Sequence, residues 1–416
     1  MKPAPRTAGL VLVTPDGAVL GSLPPIPVST PWWQDAEPVV AAIRDRYGLE
    51  VTILRLLDAE FERPHGGLVM YLGELAHASP IRSPIEPWSG SLDAHPKRLP
   101  YARPGGPAAD LSWARSVLIK HGLQPAGPPV QVRSWNLSSL WRLPVDGQTV
   151  WLKVVPPFFA HEGGVLARLA GEQVPTLLGH DGCRVLLAEV PGDDLYDAEL
   201  PLLLDMVKLL VDLQQSRSAG TDELLALGLP DWRGPRLAAA IADVTARTAH
   251  ELTAEDQSTL ERFVRDLPRR FAEVTDCGLA DTLVHGDFHP GNFRGDNQAL
   301  TLLDWGDSGV GHPFLDQPAF LDRIPQSAIE AVCEQWARLW RELVPGSDPG
   351  RASLLIAPVA AARQAVIYRG FLDAIEPAEH PYHQADPVDW LRRTVTLVRA
   401  EAGALASSGF QRPAPG

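Results

Sequence analysis

The sequence predicts an α+β protein of two lobes, a small β-rich lobe followed by a helical lobe, with a small α/β module in front of both. Three observations carry this. Short apolar runs separated by tight turns crowd residues 130–155. From Leu200 onward, apolar residues recur at helical spacing through long segments. Among those segments lies one strand–loop–strand stretch, residues 282–304, dense in His, Asp and Asn. At ~150 residues per domain, the 416 residues allow two or three domains, and the segments below divide accordingly.

Residues 1–95 read as a separate α/β module. Gly9–Val13 and Ala18–Leu20 flank Pro15-Asp16-Gly17, which predicts a hairpin. A helix follows over 35–47, with Val39, Val40, Ile43 and Tyr47 on one face and Gly48 as its stop. Val51–Leu57 and Gly67–Leu72 read as further strands. This order, with a helix ending in Tyr47-Gly48-Leu49, resembles a Nudix fold. That family's metal-binding box needs several glutamates on the helix, whereas here Ala41–Tyr47 carries only Asp45 as an acid. One carboxylate is too few for its chemistry, so the resemblance implies a degenerate module serving packing, regulation or dimerisation.

Pro and Gly are dense over about 79–106, culminating in 98–106, and residues 96–127 are read as the linker with a bracing helix over 110–121. Residues 128–192 form the small lobe. Val130–Arg133 is a strand, Asn136-Leu137-Ser138-Ser139 a turn, Leu140–Leu143 a returning strand and Thr149–Val155 a third. Lys153 is one of five lysines in the chain, and it interrupts an apolar strand. A buried ammonium there is costly without a partner; the other reading is an edge-strand lysine reaching water.

The helical lobe spans 193–402, with helices over 200–214, 236–246 and 255–274 before the central stretch and 327–343, 353–375 and 387–402 after it. Pro358 is expected to kink or delay the second of the late helices. Residues 403–416 are small, polar and Pro-containing, a tail expected to fray.

The central stretch reads LVHGDFHPGNFRGDNQALTLLDWGDSGVGHPFLD over residues 283–316. Turn residues Gly295-Asp296-Asn297 between two apolar runs predict a β-hairpin. Paired strands lie about 4.8 Å apart, so Asn292 on the outgoing arm and Asp304 on the returning one approach one point, with Asp287 on the entering loop. A polar surface hairpin would also carry acids at a turn, but not so many residues at fixed spacing. Oxygen ligands beside a carboxylate suit magnesium-dependent phosphoryl transfer. The pattern resembles the aminoglycoside phosphotransferase and choline kinase family, of protein-kinase-like fold, through His285, Gly286, Asp287, His289 and Asn292, then Leu303-Asp304-Trp305, then Gly311, Pro313 and Asp316.

The resemblance implies roles. Asp287 orients or deprotonates the acceptor hydroxyl, and Asn292 and Asp304 hold Mg²⁺. Lys153 contacts the ATP phosphates and pairs with a helix glutamate, Glu162 by position, with Glu172 as the competing acid. Ser138 and Ser139 stand where a turn covers the phosphates, and an ordinary hairpin turn fits equally. Glu189 and Val190 occupy the adenine-binding hinge. His285 is expected to organise the loop, His289 to approach substrate or to stabilise the loop, and Asp316 to fix the segment after the metal aspartate. Glu376, Glu379, Asp386 and Asp389, with His380, Tyr382 and His383, are a candidate acceptor-binding cluster. Protein-kinase activation-loop features are missing after Asp304, so a small hydroxylated acceptor is expected: an aminoglycoside, a sugar or amino sugar, or an amino alcohol.

Composition excludes other classes. A net charge of −14 opposes a nucleic-acid or anionic-membrane surface, because phosphate binding needs clustered Lys and Arg. Cys183, Cys277 and Cys333 are odd in number and widely spaced, so neither disulfides nor a zinc site is implied. No apolar run reaches the ~18 residues of a membrane span, and a cytoplasmic protein is expected. The alternatives are a nucleotide-binding pseudokinase, which the presence of Lys153, Asp287, Asn292 and Asp304 disfavours, and a Nudix hydrolase, which the missing glutamates disfavour.

Overall fold

Apolar side chains on both faces of β1 (Arg6–Val13) demand an interior strand, and the computed structural model, which describes residues 5–60, 66–75, 85–295 and 299–407, provides one. With β2 (Val19–Val28), α1 (Glu37–Tyr47), β3 (Val51–Ala59) and β4 (Gly67–Leu75), the first module is a four-stranded sheet of order β2-β1-β4-β3. β1 and β4 run parallel, and the other pairs are antiparallel. The expected β1–β2 hairpin closes through Thr14 and Ala18. α1 lays Val39 and Ile43 on one face of the sheet and stops at Gly48.

Next come α2 (Gly106–Lys120), β5 (Val130–Trp135), β6 (Ser138–Val145), β7 (Gln148–Val154), α3 (Glu162–Arg168), β8 (Leu177–Asp181) and β9 (Arg184–Ala188). The strands form an antiparallel sheet of order β5-β6-β7-β9-β8. β8 was not foreseen. Along β6 and β7 the buried residues alternate strictly: Trp141, Leu143 and Val145 with Val150, Leu152 and Val154. They form one core with Ala114, Val117 and Leu118 of α2, the bracing role expected of that helix.

The chain divides into two compact units. The first holds Met1–Ala170, Pro175–Glu189 and Leu372–Gln384. The amino-terminal module therefore folds with the small lobe, and a piece of the segment assigned to the helical lobe joins them. The division falls at Glu189–Val190, near the expected lobe boundary at 192.

The second unit holds Gly171–Val174, Val190–Phe371 and Ala385–Gly416. Its elements are β10 (Asp193–Asp194), α4 (Leu200–Arg217), α5 (Thr221–Ala226), α6 (Gly234–Thr248), α7 (Ala254–Asp276), β11 (Thr282–Val284), β12 (Phe293–Gly295), β13 (Leu300–Leu302), β14 (Gly309–Gly311), α8 (Gln317–Leu321) and α9 (Ile329–Leu343). α10 (Pro349–Ala374) crosses into the first unit, where α11 (His380–His383) lies, and α12 (Asp386–Ser407) returns. The periodic helices stand within a few residues of their expected bounds. Of the two effects expected of Pro358, a delayed start is not seen: α10 begins at Pro349, and the proline sits inside it. α12 runs to Ser407, past the expected start of the tail; residues 408–416 lie outside the described residues, as do 296–298 of the hairpin turn.

Candidate active site

In the second unit, β12 and β13 pair antiparallel in the register Phe293↔Leu302, the hairpin expected from the sequence. The Leu303 amide donates to the Asn292 carbonyl at 2.7 Å, so the backbone of Asn292 lies beside Leu303, the residue before Asp304, at the open end of the ladder. Asp304 itself has φ 59°. A left-handed aspartate is uncommon and such strain concentrates at functional positions.

The loop between β11 and β12 is anchored from several sides. Asp316, fully buried, accepts from the His285 amide at 2.9 Å, the Gly286 amide at 2.8 Å and Gln214 Nε2 at 3.0 Å. It therefore holds the entry to the loop, not the segment after Asp304. His285 is also fully buried, and its Nε2 bonds to the Leu303 carbonyl at 2.8 Å, tying loop to hairpin. This is the organising role expected of it, and burial lowers its pKa. Gly286 has φ +92°, and a Cβ there would stand 2.0 Å from the Asp307 carbonyl oxygen, so only glycine fits. Beneath the loop, Phe288 stacks on Phe320 at 4.9 Å and meets Phe293 and Trp336 edge-on.

These anchors leave Asp287 half-exposed. His289 takes the Gly291 amide on Nδ1 at 3.0 Å, which puts its proton on Nε2, 3.4 Å from Asp287 Oδ2. Burial alone would raise the Asp287 pKa. The His289 hydrogen bond outweighs it, and with the charges of His289 and His285 the carboxyl lies below its ordinary 3.8. Asn292 Nδ2 donates to the Asp287 carbonyl at 2.8 Å and to Oδ2 at 3.3 Å, which turns the amide oxygen Oδ1 away from Asp287. That oxygen and the Asp304 carboxylate are hard donors of the kind magnesium accepts, usually as one or two carboxylates with the remaining positions filled by water and phosphate.

Sequence reasoning missed one residue here. Arg363 of α10 is fully buried, and its Nη2 donates to the Gly286 carbonyl at 2.8 Å. Burial lowers its pKa, which the nearby charges of Asp316, Asp307 and Asp287 oppose. No local pattern marks it, because its target lies 77 residues away.

In the first unit, Lys153 lies on β7, the central strand of its sheet, and its Nζ meets Glu162 Oε1 at 2.8 Å. A central strand excludes the edge-lysine reading, and Glu162 is buried at the start of α3. The competing acid, Glu172, pairs instead with Arg217 of the second unit.

The two serines separate. The turn is Asn136-Leu137 alone, and Ser138 and Ser139 open β6. Leu140 pairs with Lys153, so Ser138, two residues away, shares the Lys153 face, while Ser139 points to the face covered by α2. Their hydroxyls accept from indoles, Ser138 from Trp135 at 2.9 Å and Ser139 from Trp141 at 3.0 Å. The Asn136 amide donates to both oxygens of Glu379, at 3.1 and 3.0 Å. Glu189, exposed, follows β9 and accepts from Trp151, and Val190 is partly buried at the start of the second unit.

The candidate acceptor cluster is divided. Glu376 forms an ion pair with Arg98 at 2.8 Å, Glu379 holds Asn136, and Tyr382 stacks on Trp33 at 4.6 Å, all within the first unit. Asp386 and Asp389 open α12 in the second. Elsewhere in the second unit, a cavity of about 560 Å³ is lined by Asp194, Asp197, Glu199 and Asp205. Tyr196, also in its lining, has its ring 6.1 Å from that of His289.

The Lys153–Glu162 pair lies in the first unit, and Asp287, Asn292 and Asp304 lie in the second. Residues 137–354, just over half of the chain, match the APH phosphotransferase enzyme family, and the chain belongs to that family. It is a phosphotransferase. The match leaves the amino-terminal module outside it. A search of curated proteins returns no match. Solved structures similar to this chain include macrolide 2'-phosphotransferase MphH from Brachybacterium faecium, at 18% identity and TM-score 0.47 over 66% of this chain and 97% of that one. Choline kinase from Cryptosporidium parvum Iowa II is 9% identical, with TM-score 0.49 over 68% and 90%. Aminoglycoside phosphotransferase APH(4)-Ia, in a ternary complex with ADP and hygromycin B, is 19% identical, with TM-score 0.46 over 70% and 99%. No helix among the described residues is long and apolar enough to cross a membrane.

Proposed function

We propose that the protein transfers the γ-phosphate of ATP, with Mg²⁺, to a hydroxyl of a small amino-bearing molecule such as an aminoglycoside, an amino sugar or an amino alcohol. The observation that carries this reading is the anchored Asp287–Asn292 loop with Asp304 at the end of its hairpin. Asn292 Oδ1 and Asp304 would hold the metal, which when bound neutralises charge on the phosphates. Lys153, fixed by Glu162, binds phosphate oxygens.

Asp287 accepts a hydrogen bond from the acceptor hydroxyl and aims its oxygen. It is ionised at neutral pH, its pKa lying below the ordinary 3.8, which suits an orienting carboxylate in a reaction with a loose transition state. The four carboxylates around the cavity beside Tyr196 favour a cationic acceptor over a neutral sugar. In the amino-terminal module, Asp45 is exposed between Arg44 and Arg46, and the module is read as Nudix-like without hydrolytic function.

ADP release with Mg-ATP over a panel of aminoglycosides, amino sugars, neutral sugars and amino alcohols tests the assignment. Turnover with an amino-bearing class is expected, and Asp287→Asn is expected to lower kcat by about 10²–10⁴ while ATP still binds. Unchanged turnover in Asp287→Asn refutes the role of that residue. ATP binding without turnover of any acceptor favours the pseudokinase.

A further inference from the structure

In the first unit, the amino-terminal module and the linker after it line a cavity of about 330 Å³ that the residues proposed for phosphotransfer do not line. Val13 and Leu72 give it an apolar wall, and Arg55, Arg98, Arg103 and His95 line the rest. No carboxylate is among the described residues that line it, in a chain whose net charge is −14. Glu376 reaches Arg98 from outside the lining and forms an ion pair with it.

Arg55 is the anomaly. It stands on β3 only 6% exposed, and its Nη1 donates to the Ala102 carbonyl at 3.0 Å. No carboxylate pairs with it among the described residues. Burial, with the charge of Arg98 adding and that of Glu376 opposing, pushes its pKa down to about 10. A buried cation with no directly paired anion is costly, and an anion in the cavity would compensate it. Arg103, exposed at the cavity, donates from Nη2 to the Arg98 carbonyl at 2.8 Å and has no ion pair among the described residues.

We infer that this cavity is a binding site for a small phosphate monoester. A carboxylate satisfies one guanidinium fork with its two oxygens, whereas a phosphate dianion offers a third oxygen and a second charge, enough for Arg55 and Arg103 together. The apolar wall takes the organic part of the ester.

Phenyl phosphate titrated calorimetrically into the full-length protein tests the site. Binding is expected to weaken by about tenfold or more in Arg103→Gln and in Arg55→Gln, the loss of one charge-assisted contact in each. It is expected to persist in Lys153→Ala, and benzoate is expected to bind at least about tenfold more weakly. Arg103 is exposed, so its variant reports on the site even if Arg55→Gln fails to fold. Absence of binding, or binding that is lost in Lys153→Ala yet indifferent to Arg103→Gln, overturns the inference. Equal binding of benzoate overturns the monoester assignment.

Discussion

Glu379 ties the stability of the first unit to pH. Its carboxyl is fully buried, and that burial lifts it to about 8 from an ordinary 4.5, against the opposing hydrogen bonds from Asn136. Between those values the folded chain keeps a proton that the unfolded chain has lost. The stabilisation is therefore complete below about pH 4.5 and is lost as pH rises through the folded pKa near 8. One extra bound proton in the native state gives a slope of about −1.4 kcal/mol per pH unit across that window. Glu379→Gln retains an acceptor for the Asn136 amide and removes the titration. Urea unfolding of both proteins from pH 5.5 to 7.5 is the assay, read as the difference between them so that other titrating groups cancel. The variant is expected to gain about 2–3 kcal/mol on the wild type over that range. Parallel stability curves would refute a buried, protonated Glu379, and a variant whose advantage shrinks with rising pH would reverse the sign of the argument.

Two further expectations concern the catalytic loop. Asp316→Ala strands the amides of His285 and Gly286 and the Gln214 side chain; a loss of about 3–5 kcal/mol is expected for a buried network of this kind, and a loss under about 1 kcal/mol in denaturant unfolding of the second unit would refute the anchoring role. Arg363→Met keeps the bulk but removes the donor to the Gly286 carbonyl. Steady-state kinetics should show kcat reduced by about tenfold or more with the KM for ATP nearly unchanged, because the change displaces the loop and not the Lys153–Glu162 pair; a rise in KM alone would contradict that assignment.

The sequence by itself determined the elements whose code is local. The β12–β13 hairpin follows from two apolar runs and a turn, the long helices from their apolar period, and Lys153 from a lone cation in an apolar strand. In each case neighbours within a few residues hold the whole signal. The placement of Asp287, Asn292 and Asp304 on one loop and hairpin was legible for a related reason: all three belong to a single short strand–loop–strand stretch.

What the tertiary structure decided are contacts between distant segments. Asn136 and Glu379 are 243 residues apart, and no pattern in either stretch announces that a carboxylate expected near substrate would instead hold the amide of a small-lobe turn. Asp316 reads as a residue of the segment after the hairpin, yet its oxygens face the loop 30 residues before it. Ser139 was separated from Ser138 by strand register, because a shift of one residue along a strand reverses the face. Arg363 is hidden in an ordinary helix, and only packing against Gly286 gives it a function. Periodicity specifies which face of an element is buried. It does not specify which polar group waits on the other side, and the burial of Arg363, Asp316 and Glu379 depends on that partner.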